Sequence, residues 1–185
     1  MGEVYRMNSK RIIIISGSPG SGKSSVSLRL AECSASEFVI RMHTDDFYSY
    51  IRKGYISPWL SEASEQNTVI IESFVASVER LASGGYEVIV DGVLGPWFLE
   101  PWFKLAQDGF DVRYIILRPS EQIAVSRATK RKEGLKDVDA IKHMWQCFSD
   151  LELYEPYAID TSNQNIEETV SLIQKLLEEN VMRIV

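Results

Sequence analysis

The stretch that decides the fold runs from residue 11 to residue 24 and reads Arg11-Ile-Ile-Ile-Ile-Ser16-Gly17-Ser18-Pro19-Gly20-Ser21-Gly22-Lys23-Ser24. Its first part is a continuous run of isoleucines, which is typical of a strand buried on both faces in a parallel sheet. Its second part fits the pattern G-x-x-x-x-G-K-[ST] in full, and a helical pattern follows Ser24. A strand, a glycine-rich loop and a helix in this order predict a loop that binds phosphate groups.

The chemistry expected of this loop, a Walker A motif, follows from its residue types. Glycines let the backbone wrap closely around phosphate, while N–H groups and the following helix N-terminus point at the anion. Lys23 can reach the terminal phosphates of a nucleotide, and the Ser24 hydroxyl can ligate Mg²⁺. A Gly/Ser-rich turn without a ligand is the alternative, and the flanking strand and helix disfavour it. The residues expected to contact the nucleotide are Gly17, Ser18, Gly20, Ser21, Gly22, Lys23, Ser24 and Ser25.

Apolar runs alternate with longer helical patterns along the rest of the chain. The runs predict four further strands, at Glu37–Met42, Tyr86–Val90, Val112–Leu117 and Tyr157–Ile159. Periodicity and capping residues predict helices over Ser24–Cys33, Glu65–Ala82, Pro101–Gln107, Ser120 to about Lys132, Asp137–Leu151 and Ile166–Glu179. The last residues, Val181–Val185, are a further candidate for an edge strand. Five strands interleaved with helices predict a doubly wound α/β fold that binds ligands at the carboxyl ends of its strands.

Composition and charge restrict the class of protein. The chain has 185 residues, of which 45% are apolar and 25% charged, as expected of one globular domain over residues 1–185. Its net charge of −6 disfavours binding to nucleic acid or to an anionic membrane. The run Ile12–Ile15 is too short for a signal peptide or a membrane span, and Cys33 and Cys147 fit no metal or redox motif. We expect a cytoplasmic protein with a local anion site, while the oligomeric state stays open.

Three carboxylates follow predicted strands at the edge where the phosphate loop is expected. Asp45 and Asp46 come just after the second strand, so one of them can accept the proton of an attacking hydroxyl. Asp91 ends the third strand, the usual place of a Walker B carboxylate that holds Mg²⁺ directly or through water. Gly92 after it suits a close approach of the backbone. The competing interpretations are a helix cap or a turn, and spacing does not decide which carboxylate contacts the metal.

A basic segment interrupts the acidic chain, because residues 127–136 carry a net charge of +4. Arg127 and Arg131 are four residues apart, so on a helix they share a face and can offset charge on a transferring phosphoryl group. This arrangement favours a lid over about residues 120–136, and a solvated basic helix face is the alternative. Arg118, at the end of the fourth strand, is a further candidate for nucleotide contact.

Aromatic side chains cluster on two stretches, one after the second predicted strand and one after the third. One stretch contains Phe47, Tyr48, Tyr50, Tyr55 and Trp59, and the other contains Trp97, Phe98, Trp102 and Phe103. Aromatic residues often line ligand clefts, so the pattern favours an acceptor that bears a ring or is partly apolar. The candidate substrate contacts are Asp46, His43 and Trp97, although an aromatic residue or His43 can equally be a packing residue.

With these motifs the chain resembles the small-molecule kinases of the P-loop class, the group of gluconate, shikimate and chloramphenicol kinases, and within it the chloramphenicol phosphotransferase-like branch. The resemblance covers residues 11–169 and rests on Gly17–Ser24, Thr44–Phe47, Val90–Gly92, Leu117–Pro119 with Arg127 and Arg131, and Ile159–Ser162. It implies a P-loop NTPase fold with sheet order 2-3-1-4-5. It also implies transfer of the ATP γ-phosphoryl group, with Mg²⁺, to a hydroxyl of a small molecule.

The resemblance further implies roles for single residues. In chloramphenicol kinase-like sequences the base is the Asp two residues before an aromatic, here Asp45 before Phe47, whereas gluconate kinase-like sequences favour Asp46. Residues 160–162 would lie near the nucleotide base, unless residues 161–163 simply cap the last helix. The residues implied in catalysis are Asp45, Lys23, Arg127 and Arg131.

Two other functions stay open at the level of sequence: a regulatory ATPase that binds nucleotide and signals to a partner, and a nucleoside or nucleic-acid end kinase. A GTPase switch is disfavoured, because the third strand is followed by Asp91-Gly-Val-Leu in place of D-x-x-G and no N-K-x-D occurs.

Overall fold

The computed structural model describes residues 10–185. The strands are β1 (Arg11–Ser16), β2 (Val39–His43), β3 (Glu87–Asp91), β4 (Asp111–Leu117) and β5 (Ala158–Ile159). The α-helices are α1 (Lys23–Glu32), α2 (Thr44–Ser49), α3 (Ser64–Ser83), α4 (Glu100–Gln107), α5 (Glu121–Thr129), α6 (Val138–Gln146) and α7 (Ile166–Glu178). Three 3₁₀ turns occur at Ser61–Ala63, Pro96–Phe98 and Glu152–Tyr157.

The five strands form one parallel sheet in the order β2-β3-β1-β4-β5, as predicted. Register places Ile15 of β1 beside Asp91 of β3, and Asp91 beside His43 of β2. Because the strands are parallel, their carboxyl ends meet at one edge of the sheet. The loop after β1, Asp91 and the residues after His43 therefore share that edge.

The isoleucines of β1 divide between the two faces of the sheet, since successive side chains of a strand point to opposite faces. Ile12 and Ile14 pack in a core with α3 and α4, and Ile13 and Ile15 in a second core with α1 and α7. All four are at most 2% exposed, so both faces of the sheet are covered. Because both faces of the strand are buried, its sequence is continuously apolar and does not alternate between apolar and polar residues.

The structure differs from the sequence-based expectation at several helix ends. Helix α2 at Thr44–Ser49 was not predicted, and α5 ends at Thr129 rather than near Lys132. Helix α6 ends at Gln146, short of the expected Leu151. Arg131 therefore lies beyond the helix that carries Arg127. The prediction that the two arginines share a helix face is wrong.

The C-terminal residues form no edge strand, so that prediction is wrong. They make a single antiparallel bridge, Arg113 with Arg183, flanked by hydrogen bonds from the Tyr114 and Ile184 N–H groups. This contact lies along the edge of β4 that faces away from β1, where the two-residue strand β5 pairs with Ile116 and Leu117.

Within residues 10–185, none of the helices combines the length and the apolar character that crossing a lipid bilayer requires.

Candidate nucleotide and acceptor site

The glycine-rich loop turns tightly between β1 and α1, and its path depends on glycine. Gly20 has φ +82°, and a Cβ there would overlap the carbonyl group of Ala124 in α5. Any larger residue would strain the backbone and push the loop away from α5. Helix α1 begins at Lys23, so its first N–H groups lie at the loop, where they have no partner within the helix. These groups are available to an anion.

Lys23 is nearly buried, and its Nζ donates a hydrogen bond to the Ser18 carbonyl at 3.2 Å. Burial lowers the pKa of Lys23 to about 8, while the Asp45 carboxylate acts in the opposite direction. An ammonium group removed from water and lacking a full counter-charge gains much from a phosphate. The charge on Lys23 is therefore placed for a ligand rather than for stability.

Asp91 is fully buried at the end of β3 and is held from several sides. Its Oδ1 accepts one hydrogen bond from Ser27 Oγ of α1 at 2.7 Å and forms an ion pair with Arg41 of β2 at 2.7 Å. Burial acts to raise the pKa of Asp91, but hydrogen bonds from His43 and Ser27 bring it below its ordinary value. Asp91 is an ionised carboxylate with a fixed orientation.

His43 lies between two carboxylates. Its Nδ1 is 2.9 Å from Asp91 Oδ2, and its Nε2 is 3.2 Å from Asp45 Oδ2. Hydrogen bonds to Asp45 and then to Asp91 raise the pKa of His43 to about 10, so the ring is an imidazolium at neutral pH. The same contact lowers the pKa of Asp45. The Asp45 side chain is 71% exposed, in contrast to Asp91.

The donor set at the loop fits a magnesium ion that is bound together with phosphates. Ser24 is exposed in the first turn of α1, and a hydrogen bond from its hydroxyl helps to lower the pKa of Asp91. In the described part of the chain, no three His, Cys, Asp or Glu side chains form a metal cage. Mg²⁺ commonly takes one or two protein groups and completes its shell with phosphates and water. Ser24 suits a direct contact and Asp91, already engaged by Ser27 and Arg41, a contact through water.

A cavity of about 690 Å³ opens beside the loop. Its lining includes Arg127 and Arg131 from the basic segment and Thr161 after β5. The Thr161 hydroxyl is buried without a hydrogen-bond partner, so it is available to a ligand in this cavity. The alternative interpretation, that residues 161–163 cap the last helix, is wrong, because Asn165 and Glu168 form the capping box of α7. The loop residues in the lining are Gly20, Ser21, Gly22 and Ser25.

A second, larger cleft of about 1230 Å³ has Lys23 in its lining. Lys23 and Asp45 line it together, and Arg131 borders both the cleft and the cavity beside the loop. Asp46 is exposed on α2 and does not line the cleft, and neither does His43. The structure therefore places Asp45 at the cleft and His43 behind it. The aromatic side chains of the lining are Tyr48, Tyr55, Trp59, Trp97, Phe98 and Phe148.

Amide side chains of α3 hold one side of this cleft. Gln66 donates to the Ile56 carbonyl at 2.7 Å and accepts from the Ile56 N–H at 2.9 Å. Asn67 accepts from the Tyr48 hydroxyl at 3.0 Å and donates to the Pro58 carbonyl at 2.8 Å. These bonds fix the loop that carries Tyr55 and Trp59.

Trp97 is also part of the lining of this cleft and is 52% exposed. Its ring lies over Gly95, where a Cβ would overlap the indole, and its centroid is 5.5 Å from that of Phe148. These contacts hold the indole ring in place without a ligand, and about half of the residue stays exposed.

Two residues have contacts that the sequence did not suggest. Arg118 forms a bidentate ion pair with Glu155 at 2.7 and 2.8 Å and bonds the Phe148 carbonyl, and it lines neither cavity. These contacts tie β4 to the segment after α6. Gly92 meets the Thr44 side chain rather than a ligand site, since a Cβ there would overlap Thr44.

Sequence reasoning also missed Arg41 and Ser27, the groups that hold Asp91. Arg41 lies two residues before His43 on β2, so strand periodicity places the two side chains on one face. Ser27 lies about one turn after Lys23 on α1. These spacings were available signals, but only the strand register shows that both face Asp91.

Comparison with known proteins identifies the class of fold. A family model described as AAA domain matches residues 13–145, and the search of the curated proteins returned no match. An unliganded sugar kinase from Janibacter sp. HTCC2649 is similar at 18% identity and a TM-score of 0.66, over 91% of this chain and 94% of that one.

Two further solved structures are similar over nearly their whole length. The tunicamycin resistance protein of Deinococcus radiodurans has 15% identity and a TM-score of 0.66, over 95% of this chain and 98% of that one. A gluconokinase from Sinorhizobium meliloti 1021 has 17% identity and a TM-score of 0.59, over 93% and 98%. At these identities the similarity establishes a P-loop kinase-like fold and does not identify a substrate.

Proposed function

The chain belongs to the AAA domain family, and on this premise we propose that it is an ATP- and Mg²⁺-dependent phosphotransferase acting on a hydroxyl of a small molecule. The observation that carries the proposal is that Lys23 and Asp45 both line the same cleft and act on each other electrostatically. A phosphate-binding cation and an exposed carboxylate side by side are what an acceptor hydroxyl needs beside a γ-phosphate.

In the proposed reaction, bond formation, bond cleavage and proton transfer each take place at a specific atom. The acceptor oxygen attacks the γ-phosphorus, the bond from that phosphorus to the bridging oxygen of ADP breaks, and the hydroxyl proton passes to the Asp45 carboxylate. Lys23, Arg127 and Arg131 offset the negative charge on the transferring group. Mg²⁺, held by Ser24 and through water by Asp91, would neutralise charge on the β- and γ-phosphates.

The lining of the cleft supports an acceptor with a ring or an apolar part. Tyr55, Trp59 and Trp97 are 50%, 41% and 52% exposed, and they lie around a concave surface. Half-exposed aromatic rings on a preformed cleft gain free energy when an apolar ligand covers them. We accordingly propose that the chain is of the chloramphenicol phosphotransferase-like branch, whose pattern assigns the base to Asp45. The gluconate-type assignment to Asp46 is less well supported, because Asp46 lies outside the cleft.

Residues 130–136 are proposed as the mobile part of the lid. Ala124 and Ala128 of α5 are buried, and Ala124 packs on the loop at Gly20, so the first part of the expected lid is fixed. Residues 130–134 are exposed, and Gly134 has φ +95°. We expect amide hydrogen exchange in residues 130–136 to slow when a non-hydrolysable ATP analogue binds, while α5 stays equally protected. Strong protection of residues 130–136 in both states would show a rigid segment.

A screen of hydroxyl compounds, read out at Cys147, tests the proposed acceptor site. Cys147 is exposed and lines the cleft, whereas Cys33 lies outside it at the end of α1. Acceptors are expected to slow alkylation of Cys147 and leave Cys33 unchanged as internal control. The same compounds should raise ATP consumption, and aryl alcohols should do so more than sugar acids. Compounds that protect Cys147 without any turnover would contradict the kinase proposal.

A further inference from the structure

The contacts of His43 extend from the nucleotide side of the site to the acceptor side. His43 is the last residue of β2, and its register partner on β3 is Asp91. Asp45 follows two residues later in the first turn of α2, a helix of six residues. One ring therefore joins the buried carboxylate beside the phosphate loop to the exposed carboxylate at the cleft.

The Asp91 end of this connection is rigid. Asp91 is fully buried, and its Oδ1 is held by Ser27 of α1 and Arg41 of β2. The imidazole Nδ1, 2.9 Å from Asp91 Oδ2, is also 3.1 Å from the Asp91 backbone carbonyl. The ring thus has a fixed orientation before it reaches Asp45.

The Asp45 end lacks such support. Its side chain is 71% exposed, and the contact that fixes one of its oxygens is His43 Nε2 at 3.2 Å. An exposed aspartate on a short helix otherwise samples several rotamers, and a reacting group that is misplaced by about 1 Å can lose ~10²-fold in rate. Since most of the side chain is exposed, its second oxygen can accept a proton.

We propose that His43 is a positioning residue, which holds the Asp45 carboxylate at the acceptor cleft through Nε2 while Nδ1 is anchored on Asp91. This inference rests on the proposed function, because it assigns to His43 the orientation of the proposed base. Nδ1 lies beside the Asp91 backbone carbonyl and Oδ2, and Nε2 lies beside Asp45 Oδ2, so each ring nitrogen has an acceptor. The proposed base is thereby fixed relative to the end of β3. His43 does not touch the acceptor.

Two substitutions separate the two ring contacts. In His43→Gln the amide nitrogen reaches the position of Nε2 and can still bond Asp45. In His43→Asn the amide nitrogen matches Nδ1, so the bond to Asp91 is kept and the bond to Asp45 is lost. Hydrolysis of Mg·ATP, with water as the acceptor, gives a rate that needs no identified substrate, and Mg·ATP affinity is measured beside it.

We expect His43→Asn to lower the hydrolysis rate about tenfold or more with Mg·ATP affinity unchanged within a few fold, and His43→Gln to restore most of the rate. In an Asp45→Asn background, His43→Asn should add no further loss, since the two residues act as one unit. NMR of the imidazole nitrogens, assigned with a His143→Gln variant, should show that Asp45→Asn changes the Nε2 signal more than the Nδ1 signal.

Two results would overturn the inference and leave the proposed function standing. One is a normal rate in His43→Asn while Asp45→Asn is slow. The other is a loss in His43→Asn that persists in full in the Asp45→Asn background, which would show that His43 acts through Asp91. A normal rate in Asp45→Asn itself, by contrast, would remove the proposed base and the inference together.

Discussion

Lys23→Ala is expected to abolish phosphoryl transfer and to leave the fold intact. Lys23 is the cation of the loop itself, and it lines the cleft beside Asp45. Removing a charge aimed at a developing anion in a water-poor site typically costs ~10²- to 10³-fold or more in rate. Steady-state turnover at saturating Mg·ATP measures the loss, and Lys142→Ala, an exposed substitution on α6, is the matched control.

Stability should not fall in the Lys23 variant, because burial already disfavours the charged ammonium. The pKa of Lys23 is about 8 when folded against an ordinary value of 10.5, so between these values the unfolded chain binds more protons. The contribution of Lys23 to stability therefore rises with pH across that window, and the variant should lack this increase. Full ATP-dependent turnover in a folded Lys23→Ala protein would contradict the proposed role of the loop.

Asp45→Asn is expected to lower phosphoryl transfer by ~10²-fold or more while nucleotide affinity stays within several fold. In the proposed reaction the carboxylate contacts the acceptor hydroxyl and matters as that hydroxyl loses its proton, so ground-state binding of ATP should not depend on it. Asparagine keeps the shape of the side chain and removes the proton acceptor. The measurement is kcat with a saturating acceptor from the Cys147 screen, beside a Kd for Mg·ATP.

Asp46→Asn is the neighbouring control, since Asp46 is exposed outside the cleft. A slow Asp46 variant with a normal Asp45 variant would move the base by one residue. Normal transfer in both variants would favour a regulatory ATPase, which needs no acceptor base. Loss of Mg·ATP binding in the Asp45 variant would indicate metal ligation instead.

Local signals were sufficient for the sheet and the loop. The isoleucine run predicted β1 with the bounds observed, because a strand buried on both faces has a continuous apolar sequence. The alternation of predicted strands with predicted helices indicated the α/β fold. The order of the strands came from the family resemblance and is confirmed. Helix α2 was missed because six residues are too few to establish a helical period.

The network around Asp91 was not predictable from local pattern. Ser27, Arg41 and Asp91 lie on α1, β2 and β3, and only the parallel register of the sheet brings them together. The same register turned His43, expected as a substrate contact, away from the cleft and onto two carboxylates. The position of Arg131 was misjudged because helical spacing was extended past Thr129, where α5 ends.

The fate of the γ-phosphoryl group tests the central claim most directly. The protein is incubated with Mg·ATP radiolabelled in the γ-phosphate and with a compound that protects Cys147, and the products are separated and examined by phosphorus NMR. The proposed function predicts label in an organic phosphomonoester, formed in step with ADP and lost in Asp45→Asn. Label that appears only as inorganic phosphate, at the same rate with and without the compound, would contradict it.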